Sequence, residues 1–275
     1  MSRIAAIQMN SGHDVARNLE QAREAVLQAA ESGAALAVLP ENFARMPLAD
    51  AGLKEIAEAP GDGPLQGFLA DLARESGIWL VGGTLPLQGE DPQRVRSACL
   101  LIDERGECRA RYDKIHLFDV EIAETGERYA ESDVFEPGDA VVVADSPVGR
   151  LGLSICFDLR FPGLFQALLD EGAEVLAVPA AFTAATGAAH WDVLTRARAI
   201  ETQCYLAAAG QTGHHPDGRQ TFGHSRIVDP WGRVLDELEE GLGIASGEVD
   251  RNILAQLRRR FPVADNRRFR SVGPD

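Results

Sequence analysis

No stretch of this 275-residue chain is apolar for long enough to cross a bilayer, and Met1-Ser2-Arg3-Ile4 runs straight into an alternating strand without a signal-type apolar segment. A cytosolic location is the expectation. Cysteine is scarce: Cys99, Cys108, Cys156 and Cys204 show no C-x-x-C spacing, which argues against a disulfide framework or a zinc knuckle and predicts free thiols. Walker and G-x-G-x-x-G loops are missing, so no cofactor is called for. His214, His215 and His224 lack Cys or carboxylate neighbours at ligand spacing, and His-His-Pro-Asp-Gly reads as a polar turn, so no metal is expected. Basic residues are outnumbered, 27 Lys and Arg against 42 Asp and Glu. The resulting net charge of -15 repels nucleic acid and anionic membrane alike. Arg258-Arg259-Arg260 and Arg267-Arg268 are the exceptions and read as a helix end and a tail. No linker composition interrupts the chain, and 45% hydrophobic residues can bury a sizeable core as one domain or a closely packed pair; a single domain over 1–275 is the reading adopted.

What is present is a repeated alternation of short apolar strands with helical periodicity, the order of an α/β sandwich. Arg3 to Met9 alternates as a strand, then Val15, Leu19, Ala22, Val26 and Ala29 recur at helical spacing behind an Asp14 cap, and Gly33 ends the helix. Strands follow at Leu36 to Leu39 and Ile78 to Gly82, with a helix at Pro64 to Ser76 between them and β-rich stretches at Arg96 to Ile102 and Val141 to Ala144. Beyond Cys156 the pattern predicts helices at Gly163 to Glu171 and His190 to Thr202 and strands at Val175 to Val178 and Tyr205 to Ala209. It ends with a hairpin around Trp231-Gly232 and a helix at Ile253 to Arg260. The order is read as βαβ throughout. A faint echo links Ala35 to Phe43 with Val175 to Phe182, hinting at two related halves.

Cys156 closes the apolar run Val148 to Ile155 where the pattern turns toward a helix. A thiol at such a turn can point into a cleft beside the first helical N–H groups, which would lower its pKa and hold an oxyanion. Glu41, after Leu36 to Leu39, sits similarly past the carboxyl end of a strand, where ligands bind in α/β sheets. Lys114 stands in a third segment of the same look. Taken singly, these are an inert core Cys, a solvated loop Glu and a surface Lys. Their joint placement suggests a hydrolase.

The blocks Pro40-Glu41-Asn42-Phe43, Tyr112-Asp113-Lys114-Ile115-His116-Leu117-Phe118 and Ser154 to Pro162 resemble the three signatures of the nitrilase superfamily, the carbon-nitrogen hydrolases. The likeness continues through Gly187 to Trp191, Arg196 to Tyr205 and Gly223 to Gly232, and these later blocks are most similar to the branch of the deaminated glutathione amidases. The resemblance implies a four-layer α-β-β-α sandwich, commonly a homodimer. It also implies an amidase acting on a small carboxylate-bearing amide. Cys156 would attack the carbonyl carbon while Glu41 takes its proton and passes one to the departing ammonia; water activated by Glu41 then clears the thioester, and Lys114 with the Phe157 N–H holds the oxyanion.

A second acid is expected beside Lys114. The residues alone leave Glu121, Glu124, Glu127 and Glu131 open, and the resemblance selects Glu131. For the substrate, Arg160 lies four residues beyond Cys156, one turn along the helix expected there, placed to grip a carboxylate bidentately. Phe182, Thr183 and Thr186 are expected to form the facing wall, and His190 and Trp191 to anchor their helix. The alternatives are an ω-amidase for α-ketoglutaramate, an N-carbamoyl amino-acid hydrolase, a nitrilase, or a scaffold protein without catalysis.

Overall fold

The computed structural model describes residues 1–46, 51–123, 126–216 and 218–269. Two mixed sheets pack face to face. In the first, of eight strands, Ser2–Gln8, Ala34–Val38 and Trp79–Val81 run parallel at the centre. Gly243–Val249 pairs antiparallel with Ser2–Gln8 on one side, and Val95–Ile102 antiparallel with Trp79–Val81 on the other. Cys108–Asp113 in turn pairs antiparallel with Val95–Ile102, so it points the same way as the central strands. In the second sheet, of six strands, Gly149–Leu153, Val175–Ala180 and Tyr205–Gly210 form the parallel centre.

Strand alternation builds the layers. Ile4 and Ala6 point between the sheets and meet a core with Leu36, Val38, Leu151, Val175 and Ala177, while Ala5 and Ile7 point the other way onto Ala22, Val26, Leu69 and Leu72. Both faces of the first sheet are thus buried, and each fully buried Ile, Leu or Val contributes roughly 1.5–3 kcal/mol. Helices Val15–Glu31 and Pro64–Ser76 cover the outside of the first sheet, and Pro162–Asp170 and Ala184–Thr202 the outside of the second, through Leu168, Trp191 and Ala199. The layer order is α-β-β-α. Asp14 caps the first helix by accepting from the Arg17 N–H at 3.2 Å, and Gly33 follows with φ +85°. The echoing segments are the middle strands of the two parallel trios. No helix among the described residues is long and apolar enough to cross a membrane.

Three local expectations are corrected. The βαβ order does not hold throughout: both sheets carry antiparallel outer strands, and Cys108–Asp113 and Gly243–Val249 went unread because their polar residues hide the alternation. No α-helix starts at Cys156. A short 3-10 turn, Cys156–Arg160, is followed by an extended Phe161, and the α-helix begins only at Pro162. Proline has no N–H to give and pushes the residue before it out of the helical region, so a continuous helix across Phe161-Pro162 is excluded. The later helix runs Ala184–Thr202, starting six residues before His190, because Ala184 to Ala189 holds only small residues and shows no apolar period.

Candidate active site

The site assembles at the carboxyl ends of strands from both sheets. Past Ala34–Val38, Pro40 turns the chain so tightly that a Cβ on Gly83 would lie 2.2 Å from the Pro40 carbonyl oxygen. Only glycine fits there, and Gly83 also has φ +58°. Behind Glu41, the buried Gln211 donates from Nε2 to the Glu41 carbonyl at 3.0 Å and to Ser11 Oγ at 2.8 Å, tying the second sheet to the loop. Lys114 leaves Cys108–Asp113 with its N–H on the Ser97 carbonyl at 3.0 Å and its own carbonyl held by the Gly138 N–H at 2.8 Å. Glu131 opens a short turn, Glu131–Asp133, and one of its oxygens accepts from the Phe118 N–H.

These anchors converge on one ammonium. Lys114, 2% exposed, donates to Glu41 Oε1 at 2.9 Å and to both oxygens of Glu131 at 2.8 and 2.9 Å. Burial alone would discharge the amine, but the charges of Glu131 and Glu41 outweigh it and hold the Lys114 pKa well above the ordinary lysine value. Burial raises the Glu131 pKa, and the Glu41 charge adds to this against the pull of Lys114. Of the other acids considered, Glu121 and Glu127 lie in the hairpin Asp119–Ile122 and Glu127–Ala130, and Glu124 falls outside the described residues.

Cys156 takes a left-handed conformation, φ +45°, that aims its sulfur into the cleft, where the Ala181 N–H donates to Sγ at 3.5 Å. Its pKa runs opposite to the expectation. Burial pushes the thiol well above its usual value, the neighbouring Glu41 carboxylate pushes the same way, and Lys114 only partly opposes them. The predicted lowering by helical N–H groups fails because no α-helix begins there. Cys156 therefore rests as a thiol in the same cleft as the Glu41 carboxylate.

Asp158, fully buried, holds this turn against the lysine strand. It accepts from the Ile155 N–H at 2.8 Å and Tyr112 Oη at 2.7 Å, and its other oxygen meets the His116 N–H at 3.2 Å and His116 Nδ1 at 2.7 Å. Tyr112 and His116 flank Lys114 on either side. Arg198, from the helix Ala184–Thr202, donates to the Leu159 carbonyl at 2.9 Å and fixes the far end of the turn.

The cleft enclosing this cluster is lined by Glu41, Lys114, Glu131, Cys156, Phe157 and Arg160, with Phe182, Thr183 and Thr186 on another wall. Arg160 packs its guanidinium over the Phe157 and Phe182 rings, 5.7 and 5.2 Å from their centroids, and meets His190 Nδ1 at 3.1 Å. Among the described residues no carboxylate pairs with it; Asp158, two residues before it, is occupied as above. Thr183 caps the helix Ala184–Thr202, its Oγ1 within 2.8 Å of Thr186 Oγ1.

A model of the carbon-nitrogen hydrolase family matches residues 3–259. The chain belongs to the carbon-nitrogen hydrolase family. A Yersinia enterocolitica protein named deaminated glutathione amidase is 44% identical over 267 residues, covering 97% of this chain and 93% of its own length. Among solved structures, a Saccharomyces cerevisiae member of branch 10 of the nitrilase superfamily superposes with a TM-score of 0.87 at 29% identity, covering 98% of this chain and 97% of that one. A mutant amidase from Nesterenkonia sp. AN1, with acrylamide added at its active-site cysteine, gives a TM-score of 0.79 at 29% identity, covering 95% of this chain and 100% of that one.

In this carbon-nitrogen hydrolase the remaining histidines belong to the scaffold. His215 is buried between the Ser11 carbonyl at 2.9 Å and Thr221 Oγ1 at 2.7 Å, His224 meets Glu237 at 2.7 Å, and Trp191 Nε1 donates to the His224 carbonyl at 2.8 Å. His190, expected to anchor its helix, reaches Arg160. Sequence reasoning missed the cleft residues Phe118, Tyr129, Phe135 and Arg219. Phe118 and Tyr129 stand next to the lysine and Glu131 blocks and were open to suspicion, whereas Arg219 lies in a polar turn with no local signal.

Proposed function

We propose that this enzyme hydrolyses the amide of a small 2-oxo acid, deaminated glutathione foremost, through a thioester on Cys156. The observation that carries the reading is the buried Lys114 ammonium bridging Glu41 and Glu131 beside the Cys156 thiol, in a cleft that also holds Arg160. Because the thiol is held protonated, attack needs a base at the moment of reaction. Glu41, which lines the same cleft as the thiol, takes that proton as sulfur bonds to the carbonyl carbon. The oxyanion then gathers on Lys114 Nζ and the Phe157 N–H.

As the C–N bond breaks, Glu41 returns the proton to the leaving nitrogen. Ammonia leaves from a primary amide. Deaminated glutathione is glutathione with a keto group in place of its α-amino group, so the group leaving from it is the amine of cysteinylglycine. Water, deprotonated by Glu41, attacks the thioester; the C–S bond breaks, the acid departs and the thiol is restored. Glu131 keeps Lys114 charged and aimed, and Arg160 binds the substrate carboxylate with Phe182, Thr183 and Thr186 facing it.

The sheets share one core, which supports a single unit spanning the chain, working in the cytosol as a homodimer. Val193 and Ile200, two turns apart on the helix Ala184–Thr202, are exposed with Trp231 and Phe261, whose rings meet edge to face at 5.9 Å; Gly232 lies against Ile200, making the face continuous. A second copy of the chain is the partner proposed for it. The deciding experiment follows product formation from deaminated glutathione, α-ketoglutaramate, N-carbamoyl amino acids and nitriles, using 2-oxoglutarate rather than ammonia as the common readout for the first two. The highest kcat/KM is expected on deaminated glutathione. Faster turnover of α-ketoglutaramate or a nitrile overturns the substrate assignment, and no turnover of any leaves the scaffold reading.

A further inference from the structure

We infer that Gln211 is a positioning residue for the hydrolysis: it holds the base Glu41 and the nucleophile Cys156 in register, although the two come from different sheets. This rests on the roles proposed above for those residues and adds what fixes them relative to each other. Glu41 follows Ala34–Val38 of the first sheet and Cys156 follows Gly149–Leu153 of the second, so a small slide of one sheet on the other would part them. Gln211 stands where the sheets are stitched together. It follows Tyr205–Gly210 in the second sheet and bridges Met9, which follows Ser2–Gln8 in the first. There the Met9 N–H donates to the Gly210 carbonyl at 3.3 Å, and the Thr212 N–H donates to the Met9 carbonyl at 2.8 Å.

From that seam Gln211 is tied to both reacting residues. Its backbone N–H donates to the Ala180 carbonyl at 3.0 Å, and the N–H of the same peptide group, that of Ala181, donates to Cys156 Sγ at 3.5 Å. Its side chain donates from Nε2 to the Glu41 carbonyl at 3.0 Å and to Ser11 Oγ at 2.8 Å, while Oε1 accepts from the Ser11 N–H at 2.9 Å. Gln211 and Ser11 are fully buried, so water does not compete for these bonds. Ser11 Oγ in turn donates to the Phe43 carbonyl at 2.8 Å, and Thr84 Oγ1 accepts from the Asn42 N–H at 2.8 Å. Glu41-Asn42-Phe43 belongs to no strand or helix, and Asn42 sits at φ +59°; buried side chains therefore do for the backbone of the base what a ladder does elsewhere. The Gln211 site uses two donors and an acceptor, which a carboxamide supplies and a carboxylate or an apolar chain does not. Gln211 does not itself line the cleft, so it acts through its neighbours.

The test changes the side chain and keeps the backbone. Gln211→Met fills the space without a donor; Ser11→Ala, a smaller cut, removes one Nε2 acceptor and the Phe43 donor, and carries the same comparisons should Gln211→Met fail to fold. On deaminated glutathione, Gln211→Met should lower kcat about tenfold to a hundredfold with KM within about twofold of wild type, and Ser11→Ala should lose less in the same sense. Added to Glu41→Gln, Gln211→Met should cost nothing further, because the base it positions is already gone. A second arm needs no turnover and decides alone if that amide is not a substrate. Burial first, and the Glu41 charge after it, raise the Cys156 thiol, so releasing Glu41 should move the thiolate titration of Gln211→Met to lower pH while the same change leaves that of Glu41→Gln unmoved. Wild-type kcat in Gln211→Met, an equal loss on top of Glu41→Gln, or a thiolate titration that does not respond overturns the positioning role. Undiminished turnover by Glu41→Gln would instead remove Glu41 as the base.

Discussion

Lys114 grips Glu131 through both carboxylate oxygens, at 2.8 and 2.9 Å, while spending only one bond, of 2.9 Å, on Glu41. The asymmetry fits the division of labour proposed above, with Glu131 as the fixed counter-ion and Glu41 keeping an oxygen for proton transfer. Lys114→Ala should lower kcat by at least about a hundredfold, the scale for losing an oxyanion donor. Glu131→Gln should be severely impaired, whereas Glu121→Gln and Glu127→Gln, in the hairpin, should stay near wild type. The opposite ranking in steady-state kinetics would move the role to another acid.

Cys156→Ala should abolish turnover while the thermal midpoint stays close to wild type, since little packing is lost from a side chain facing the cleft. Mass spectrometry of slow Glu41→Gln protein should find the acyl adduct on Cys156. An adduct on Cys99, Cys108 or Cys204 would sink the assignment.

The raised thiol has a pH consequence. Because the Glu41 charge is one cause of the shift, Glu41→Gln should move the thiolate titration of Cys156, followed by ultraviolet absorbance against a Cys156→Ala blank, to lower pH even as hydrolysis is lost. A titration that stays put or moves upward contradicts the proposed coupling. For stability the sign is set by the raised folded-state value: the contribution is fully present below the unfolded thiol pKa of about 8.5 and is lost as pH rises toward the folded one. Burial raises Cys99 and Cys204 likewise, so denaturation midpoints should fall on the alkaline side.

Asp158 binds the residue before Cys156 and the residues two before and two after Lys114, yet touches no reacting atom of the proposed mechanism; it is a positioning residue. Asp158→Asn should reduce kcat by up to about a hundredfold with little change in KM, as expected when reacting groups are misplaced by about an ångström. Asp158→Glu should not restore it, because the longer side chain cannot keep all four contacts. A loss confined to KM would refute the role.

Arg160→Lys keeps the charge but not the planar fork. It should cost more kcat/KM on an anionic 2-oxo acid amide than on a neutral amide. Equal losses on both would show that Arg160 serves packing against Phe157 and Phe182 alone.

What the chain determined by itself were features that need only near neighbours: the apolar strands, the Asp14 cap, and the turns that place Glu41 and Cys156 just past strand ends. Those depend on alternation, capping chemistry and turn residues, which are local. Glu131 came from resemblance, since four acids in one loop look alike until the fold puts one of them against an ammonium. Tertiary structure alone decided the rest. The thiol's raised pKa depends on burial and on Glu41, a residue 115 positions away by number. The rings of Tyr129 and Phe157 both meet that of Phe118, from segments that share no periodicity. Charges and rings act through space over a few ångströms, and only the packing of the two sheets brings these partners within that range.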